Sequence, residues 1–349
     1  MRTTYKKEDV ELLLKDITGL VKPQSTQERE QLIQQGWHYC EMLPIEYSPS
    51  EAYMEAYETA LKVFADSTSE AVGVLADKIM EEKGRSVVLV SLARAGTPVG
   101  ILLKRYLRWK YGITVPHYSI SIIRGRGIDQ NAMRYLLCRY RPEDMLFVDG
   151  WIGKGAILSE LRKAVADFPG VSPELAVLAD PANVTKLCGT HEDILIPSSC
   201  LNCTVSGLVS RTFLRDDIIG ETDFHGAVYY GELEAQDLSY AFISEIQSRF
   251  QKEYSQKDTG DSGQGLDEVL RIGREFKIED VNLIKPGIGE TTRVLLRRVP
   301  WKVLVHEKYM GDKALEHILR LAKEKNVPVQ TYPLKNYKAC GIIKKLADA

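Results

Sequence analysis

The sequence predicts an α/β protein in two parts: a parallel sheet with helices on both faces over residues 1–250, and a small second α/β domain over residues 266–349. Three observations carry this. Continuous apolar runs rich in β-branched residues, the pattern of strands buried on both faces, alternate with helical patterns, and strand–loop–helix is the unit of a parallel sheet. The first two such strands, residues 86–90 and 144–148, run directly into polar loops that contain glycine before the next helix opens. Near residue 255 the composition shifts to SQKDTGDSGQG, which holds no large apolar side chain and reads as a linker over residues 251–265.

In chain order, residues 50–83 carry apolar side chains at helical spacing, with Ser50 placed to cap ahead of Glu51. They predict a pair of helices in an N-terminal helical part, residues 1–83. Residues 86–90 (SVVLV) predict a strand, residues 91–98 (SLARAGTP) a turn, and the stretch to Tyr106 a helix. The pattern recurs as strand 144–148 (DMLFV), loop 149–156 (DGWIGKGA), helix 157–168 (ILSELRKAVADF) and strand 175–178 (LAVL). A helix is predicted over residues 237–254; beyond the linker come two helices, a strand at 303–306, a helix at 313–325 and a strand at 327–332. In doubly wound sheets ligands bind outside the carboxyl ends of the strands, which is where both glycine loops fall.

The 46 Lys and Arg against 48 Asp and Glu leave a net charge near zero, so nothing global draws the chain to nucleic acid or an anionic membrane. No apolar run approaches the roughly 20 residues that span a bilayer, and the opening MRTTYKKEDVELLL lacks the apolar core of a secretory signal. A cytoplasmic location without membrane association is expected. Six cysteines in 349 residues are too few for a disulfide framework and read as thiols. Cys200 and Cys203 form a CxxC, but no second ligand pair follows at zinc spacing, so no metal site of the protein's own is expected.

The residues Ser91, Ala93, Arg94, Ala95, Gly96 and Thr97 follow a buried strand and precede a helix, so backbone N–H groups and the helix N-terminus suit an anion. Gly96 allows close approach, Thr97 offers a hydroxyl and Arg94 a two-pronged fork for phosphate oxygens. An ordinary βα turn would use small residues here too. In the second loop Asp149 stands at a strand end, where a carboxylate needs a hydroxyl or a cation, and Gly153, Lys154 and Gly155 can cradle a monophosphate. The spacing from Gly150 to Lys154, and Ala156 in place of Ser or Thr, exclude a nucleoside-triphosphatase P-loop.

Two such loops in one parallel sheet resemble the pyrophosphate loop and the phosphoribosyl-diphosphate loop of type I phosphoribosyltransferases, over roughly residues 30–235. The resemblance implies a type I phosphoribosyltransferase-like sheet with a mobile hood between the loops, here residues 118–129 (YSISIIRGRGID). Arg124 and Arg126 would close over departing pyrophosphate, and with Asp129 and Asp149 they form the implied catalytic set. Gly150 stands where that family has a second acidic residue, and Lys154 and Ile157 where its cradle has Thr. SLARAGTPVG, SIIRGRGID and VDGWIGKGA, with GWHYCEMLPIE and IPSSCLNCTVSGLVSRT, are closer to the phosphoribosyltransferase-like proteins of bacterial tellurite-resistance and stress operons, also labelled the cysteine protease StiP family.

Residues 197–212 gather Cys200, Asn202, Cys203, Thr204, Ser206 and Arg211 around one glycine, which suits a wall that binds an acceptor. A thiol hydrolase reading makes Cys200 or Cys203 the nucleophile, His225 its base, and Asp223 or Asn202 the orienting group. Simple packing, with the thiols as small hydrophobes and His225 capping a turn, fits the same residues.

Residues 285–293 (KPGIGETTR) place Gly287, Gly289 and Glu290 at a helix start between Lys285 and Arg293. With the strands and helix that follow, they resemble the Pelota and L7Ae-type RNA-binding domain over residues 280–345, with Gly289 where that signature has Asn. The resemblance implies RNA phosphates at Lys285, Arg293, Arg297 and Arg298; a solvated basic helix face would read alike.

The resemblances imply an enzyme that binds phosphoribosyl diphosphate or a related ribose phosphate, with Mg²⁺ bridging the pyrophosphate and no cofactor tightly bound, and that forms a nucleotide- or nucleoside-like product. Its partners would be a small ribose phosphate or nucleotide and RNA through residues 280–345; a homodimer is left open. Two other readings stay open: a non-catalytic, nucleotide-sensing RNA-binding protein, and a cysteine hydrolase.

Overall fold

The computed structural model describes residues 1–254 and 263–344. The chain begins with two short strands, β1 (Glu11–Leu12) and β2 (Lys15–Asp16), and the helices α1 (Thr26–Gln34) and α2 (Glu51–Lys83). Then come β3 (Val88–Ala93), α3 (Gly96–Tyr111), β4 (His117–Ile123), β5 (Gly127–Ile128), α4 (Gln130–Leu137), β6 (Met145–Trp151), α5 (Ala156–Val165), β7 (Leu175–Ala179) and β8 (Cys188–Thr190). The short strand β9 (Gly226–Ala227), which pairs with β2, and α6 (Ser239–Gln247) complete this part.

The main sheet runs β1-β4-β3-β6-β7-β8, parallel along this whole path, with β5 folded back antiparallel on β4. From β3 the chain crosses to β4 on one side and then to β6 on the other. The carboxyl ends of β3 and β6 therefore flank the point where the winding reverses, the crevice at which such sheets bind ligands. With β5 as the return of the hood, this is the type I phosphoribosyltransferase-like arrangement.

Both faces of the sheet are buried, which is why its strands read as continuous apolar runs. Leu89, Leu146, Val148 and Leu178 pack under α2, α3 and α6 with Leu75, Ile79, Leu102, Tyr106 and Phe242. Val88, Val90, Leu92, Phe147 and Val177 face α4 and α5 through Met133, Leu136, Leu158 and Leu161.

Four expectations are corrected here. Residues 50–83 form one helix rather than a pair. Its polar middle does not break it: Thr68 and Ser69 are small and buried, Ser67 Oγ donates back to the Phe64 carbonyl at 3.2 Å, and Ser69 Oγ lies 3.2 Å from Tyr254 Oη. Ser50 occupies the N-cap position, but its side chain makes no capping bond. The N-terminal part is also not purely helical, since β1 joins the main sheet beside β4. Finally, β3 and β6 run further than predicted, so Ser91, Ala93 and Asp149 are strand residues and not loop residues.

The C-terminal part contains α7 (Gly265–Glu275), β10 (Ile284–Pro286), α8 (Ile288–Arg297), β11 (Pro300–Val305), α9 (Glu316–Glu324), β12 (Val329–Thr331) and β13 (Ala339–Ile343). Its sheet has the order β10-β13-β11-β12, so β10 and the inner strand β13, neither of them predicted, hold it together. Of the predicted linker, residues 255–262 lie outside the described residues, while Gly265 already opens α7. This part is seated on the first through a shared apolar cluster: Tyr57, Phe64, Leu195 and Leu201 pack with Ile288, Leu295, Val303 and Ile318. Among the described residues no helix is long and apolar enough to cross a membrane.

Candidate functional site

At the end of β3 the chain turns through the cis Ala93–Arg94 peptide bond into α3. A Cβ on Gly96 would lie 2.4 Å from the Val148 carbonyl oxygen, so glycine lets the start of α3 touch the backbone of β6. The polar side chains expected to meet phosphate are committed elsewhere. Ser91 Oγ bonds His117 Nε2 at 2.7 Å and Thr97 Oγ1 bonds Ser119 Oγ at 2.7 Å, all of them buried. Arg94 donates to the Val209 carbonyl at 2.9 Å and pairs with Glu46 at 3.2 Å. These groups brace the turn against its neighbours, and Ala95 is the residue of this turn that lines the cavity described below.

β6 delivers Asp149 and Trp151 to the same crevice. Asp149 Oδ1 accepts from its neighbour Gly150 N at 2.8 Å, and burial pushes the carboxyl up to about 7, against the Gly150 N–H and the Arg293 guanidinium, which favour the ionised form. Gly153, Lys154 and Gly155 follow, with Gly155 in the left-handed region (φ 88°) immediately ahead of α5. Lys154 Nζ donates to the carbonyls of Val281 at 2.5 Å and Ile284 at 3.2 Å; burial, with Lys285 and Arg124 close by, brings its ammonium down to about 8.

The hood is tied to the segment around residue 40. Arg124 N donates to Tyr39 Oη at 2.9 Å, Arg124 Nη2 reaches Asn282 Oδ1 at 2.9 Å, and Arg126 pairs with Glu41 at 3.1 Å. Arg124 lines the crevice. Asp129 does not: it caps α4 by accepting from Ala132 N at 2.9 Å, and its other oxygen accepts from His225 N at 2.5 Å. That is a structural role for a residue implied to be catalytic.

The residues expected to meet RNA complete this crevice. Lys285, Glu290 and Arg293 line one cavity of about 290 Å³ together with Ala95, Arg124, Asp149, Trp151, Gly153, Lys154 and Gly155. Glu290 is ion-paired to Arg293 at 3.0 Å; burial works against its charge, but Arg293 and Lys285 outweigh it and hold the carboxyl below the usual range. Arg293 also lies over the Trp151 ring at 5.6 Å. Gly287 (φ 92°) and Gly289 set α8 close to the sheet domain, where Asp193 accepts from Ile288 N at 2.9 Å and from Lys338 N at 2.9 Å. Tyr337 Oη donates to the Gly153 carbonyl at 2.7 Å.

The cysteine segment divides. Asn202 and Ser206, with Ser198, Ser199 and Arg94, line a second cavity of about 60 Å³ that shares Ala95, Trp151 and Arg293 with the first. Among the described residues the hydroxyl of Ser199 is buried without a hydrogen-bond partner, as is that of Thr204. Arg211 spends its guanidinium on the carbonyls of Tyr39 and Met42 at 2.7 and 2.9 Å. Cys200 packs against α2, its thiol 3.8 Å from the Ala56 carbonyl, while Cys203 sits in a separate cluster with Phe213; burial pushes both thiols up to about 12. His225 Nδ1 bonds Ser121 Oγ at 2.8 Å and Asp223 pairs with Lys15 at 2.6 Å. The triad of the hydrolase reading is therefore not assembled: Asp223 and His225 line one cavity, but among the described residues neither thiol bonds His225, whose ring is committed to Ser121 while Asp223 is committed to Lys15.

Two thiol–imidazole pairs lie elsewhere. His38 Nδ1 is 2.9 Å from Cys40 Sγ. Cys188 Sγ is 3.3 Å from His191 Nε2, whose Nδ1 faces the Asp180 carbonyl at 2.9 Å. A carbonyl only accepts, so His191 Nδ1 carries the proton and Nε2 faces the thiol as an acceptor. Their closeness in sequence, HYC and CGTH, was the available signal. Asp193 and Glu46 gave none, since each acts on residues far along the chain.

The fold is that of a phosphoribosyltransferase-like α/β protein, and its C-terminal domain covers the crevice between the two glycine-bearing strand ends. The chain belongs to the StiP family: residues 3–247 match the family described as tellurite-like stress resistance cysteine protease StiP. Residues 263–345 match the Pelota RNA-binding domain. The protein named cysteine protease StiP from Acinetobacter baylyi is 35% identical over 368 residues, covering 98% of this chain and 94% of its own. Among solved structures, a hypoxanthine-guanine phosphoribosyltransferase from Bacillus anthracis overlaps 35% of this chain and 71% of its own at 18% identity and a TM-score of 0.26. The hypoxanthine-guanine enzyme of Leishmania tarentolae in complex with GMP overlaps 39% and 70% at 17% identity and a TM-score of 0.22.

Proposed function

We propose that this protein is an enzyme that binds a phosphorylated ribose in the crevice over β3 and β6 and exchanges the group at its C1 carbon, giving a nucleotide- or nucleoside-like product. The observation that carries the reading is the single cavity in which the 153–155 cradle, the Asp149 carboxylate and the cations Arg124 and Lys154 converge. Its volume of about 290 Å³ lies at the lower end of the range for small-molecule sites, a fit for a sugar phosphate. Backbone N–H groups at the start of α5 and Lys154 would hold the 5′-phosphate, and Asp149 would accept from ribose hydroxyls. Arg124 would stabilise the leaving group, a charge that grows in the transition state.

Mg²⁺ does not fit as a resident ion. The two carboxylates of the cavity stand among four cations, one is paired to Arg293, and no group of three ligating side chains exists among the described residues. The metal would arrive on the diphosphate of the substrate.

Calorimetry with ribose 5-phosphate tests the reading. Asp149→Ala is expected to weaken binding by about tenfold or more, the worth of hydrogen bonds to a charged group. Affinity should follow a bell in pH. It rises as Asp149 ionises around 7 and falls as Lys154 loses its proton around 8. The second ionisation of the phosphate itself, near ~6, lies lower, so Asp149→Asn separates the two by removing the upper part of the rise. Absence of binding at every pH would end the ribose-phosphate reading.

A second reading, a cysteine hydrolase, rests on the family description, on the name of the A. baylyi relative and on the two thiol–imidazole pairs. Burial opposes it, pushing Cys40 up to about 11 and Cys188 up to about 12. Iodoacetamide on the native chain is expected to label the exposed Cys138 and to spare Cys40 and Cys188. Peptidase activity lost in Cys40→Ala or Cys188→Ala, with labelling of that thiol, would instead favour the hydrolase. RNA binding through Lys285, Glu290 and Arg293 would require the C-terminal domain to leave the crevice they line.

A further inference from the structure

We infer that the anionic ligand of the crevice is held jointly by both domains, with Lys285 and Arg293 of the C-terminal domain contacting its phosphate or diphosphate opposite the 153–155 cradle, so that ligand binding fastens the two domains together. This rests on the reading of the crevice as a ribose-phosphate site.

Four cations, Arg124, Lys154, Lys285 and Arg293, line one cavity against the two carboxylates Asp149 and Glu290. The surplus is positive, and it is split across a domain boundary: two of the cations come from the sheet domain and two from the C-terminal domain. Like charges so placed repel across the boundary; Lys285 lies close enough to Lys154 to help lower the latter's proton affinity, and Arg124 acts on both lysines. Glu290 pairs with Arg293 at 3.0 Å and acts on Lys285 only at longer range; among the described residues Lys285 Nζ makes no hydrogen bond or ion pair although it is half-buried at the cavity wall. A desolvated ammonium in that position calls for an anion.

The seat of the C-terminal domain is otherwise built. Asp193 caps α8, Tyr337 bonds the Gly153 carbonyl, Arg297 bonds the Cys200 carbonyl at 2.9 Å, and Lys154 bonds two carbonyls of the 281–284 segment. The cradle loop is thus gripped from the C-terminal domain before any ligand arrives, and Pro286 and Glu290 stand over Gly153 within 4 Å of where its Cβ would be. A ligand phosphate on the cradle has Lys285 and Arg293 above it. The chemical class is a phosphomonoester or diphosphate of a sugar: the charge surplus matches a dianion, and the Asp149 carboxylate at one wall provides for hydroxyls.

The experiment uses the full chain and ribose 5-phosphate as the probe, with binding read by calorimetry and docking read by hydrogen exchange of residues 284–297. Lys285→Ala and Arg293→Gln are expected to weaken binding at least about tenfold, while thermal unfolding shows both variants folded. In the wild type the probe is expected to slow exchange in residues 284–297, and in Lys285→Ala it is not. If Lys154→Ala loses binding while Lys285→Ala and Arg293→Gln bind like wild type, the crevice is a phosphate site of the sheet domain alone and the joint site falls. If the wild type binds no ribose phosphate, the ribose-phosphate reading fails and the joint site fails with it. Slowed exchange on adding RNA with no response to the sugar phosphate would overturn the proposal in favour of a nucleic-acid face.

Discussion

Gly96→Ala is expected to destabilise the protein by about 3 kcal/mol or more and to weaken ribose 5-phosphate binding although residue 96 touches no ligand, because overpacking costs ~1–3 kcal/mol even where neighbours can yield. Here they cannot. The new methyl would meet the Val148 carbonyl oxygen at 2.4 Å and Asp149 Cα at 3.0 Å, both of them backbone of the strand at the switch point. Relief requires the start of α3 to lift from β6, which moves Ala95 and Asp149, two walls of the cavity. Gly150→Ala is the control: its Cβ would find nothing nearer than 3.9 Å, so stability close to wild type is expected. Urea unfolding midpoints and calorimetry on the two variants decide the matter. A Gly96→Ala protein as stable as Gly150→Ala, with unchanged affinity, would show that the close approach of α3 to β6 does not set the site.

The same two strands show what the sequence could reveal. Their apolar runs, the glycine loops behind them and the position of Asp149 follow from local pattern, because a strand buried on both faces and a turn into a helix each leave a signature within a few residues. The fates of individual polar groups do not. Ser91 and Thr97 look like phosphate ligands in a turn, yet each has a polar partner on β4, His117 and Ser119, that only the register of β3 against β4 reveals. Arg94 was expected to fork onto phosphate and is instead drawn to Glu46, 48 residues earlier in the chain. The inner strand β13 has no local signature, because ACGII follows a polar, lysine-bearing turn and shows no alternation; it is a strand because β10 and β11 pair with it on both sides. Lys285, Glu290 and Arg293 were legible as a charged helix start, and RNA was the partner suggested by the domain they belong to. That they face Gly153 and Lys154 depends on how two domains pack, which no local pattern encodes.

Asp193→Ala is expected to loosen the C-terminal domain more than any change within that domain's own surface. The carboxylate is 4% exposed and accepts from the backbone of Ile288 and of Lys338, joining the end of the sheet domain to both α8 and the approach to β13. Alanine strands two buried N–H groups, each worth roughly 1–3 kcal/mol when unpaired, offset in part by removing a buried charge. Hydrogen exchange of residues 284–297 should accelerate, and ribose 5-phosphate affinity should fall if the ligand is held by both domains. The pH dependence has a counterintuitive sign. Burial raises the Asp193 carboxyl to about 6, against the Ile288 and Lys338 N–H groups that favour the anion. The folded state thus binds this proton more tightly than the unfolded chain, whose carboxyl titrates near ~3.9, so the stabilisation is complete below that value and is lost as pH rises through about 6, a change of about 3 kcal/mol. Acidification from pH 7 to 5 should therefore strengthen the seat. Asp193→Asn keeps one acceptor oxygen and cannot titrate; it should be milder than alanine and should flatten the stability profile between about pH 4 and 6, leaving the part up to about 7 that belongs to Asp149. Unfolding midpoints at pH 5 and pH 7 separate the cases. A profile for Asp193→Asn that parallels the wild type, or unchanged exchange in Asp193→Ala, would mean that the apolar cluster around Leu195 and Ile288 holds the domain in place without the carboxylate.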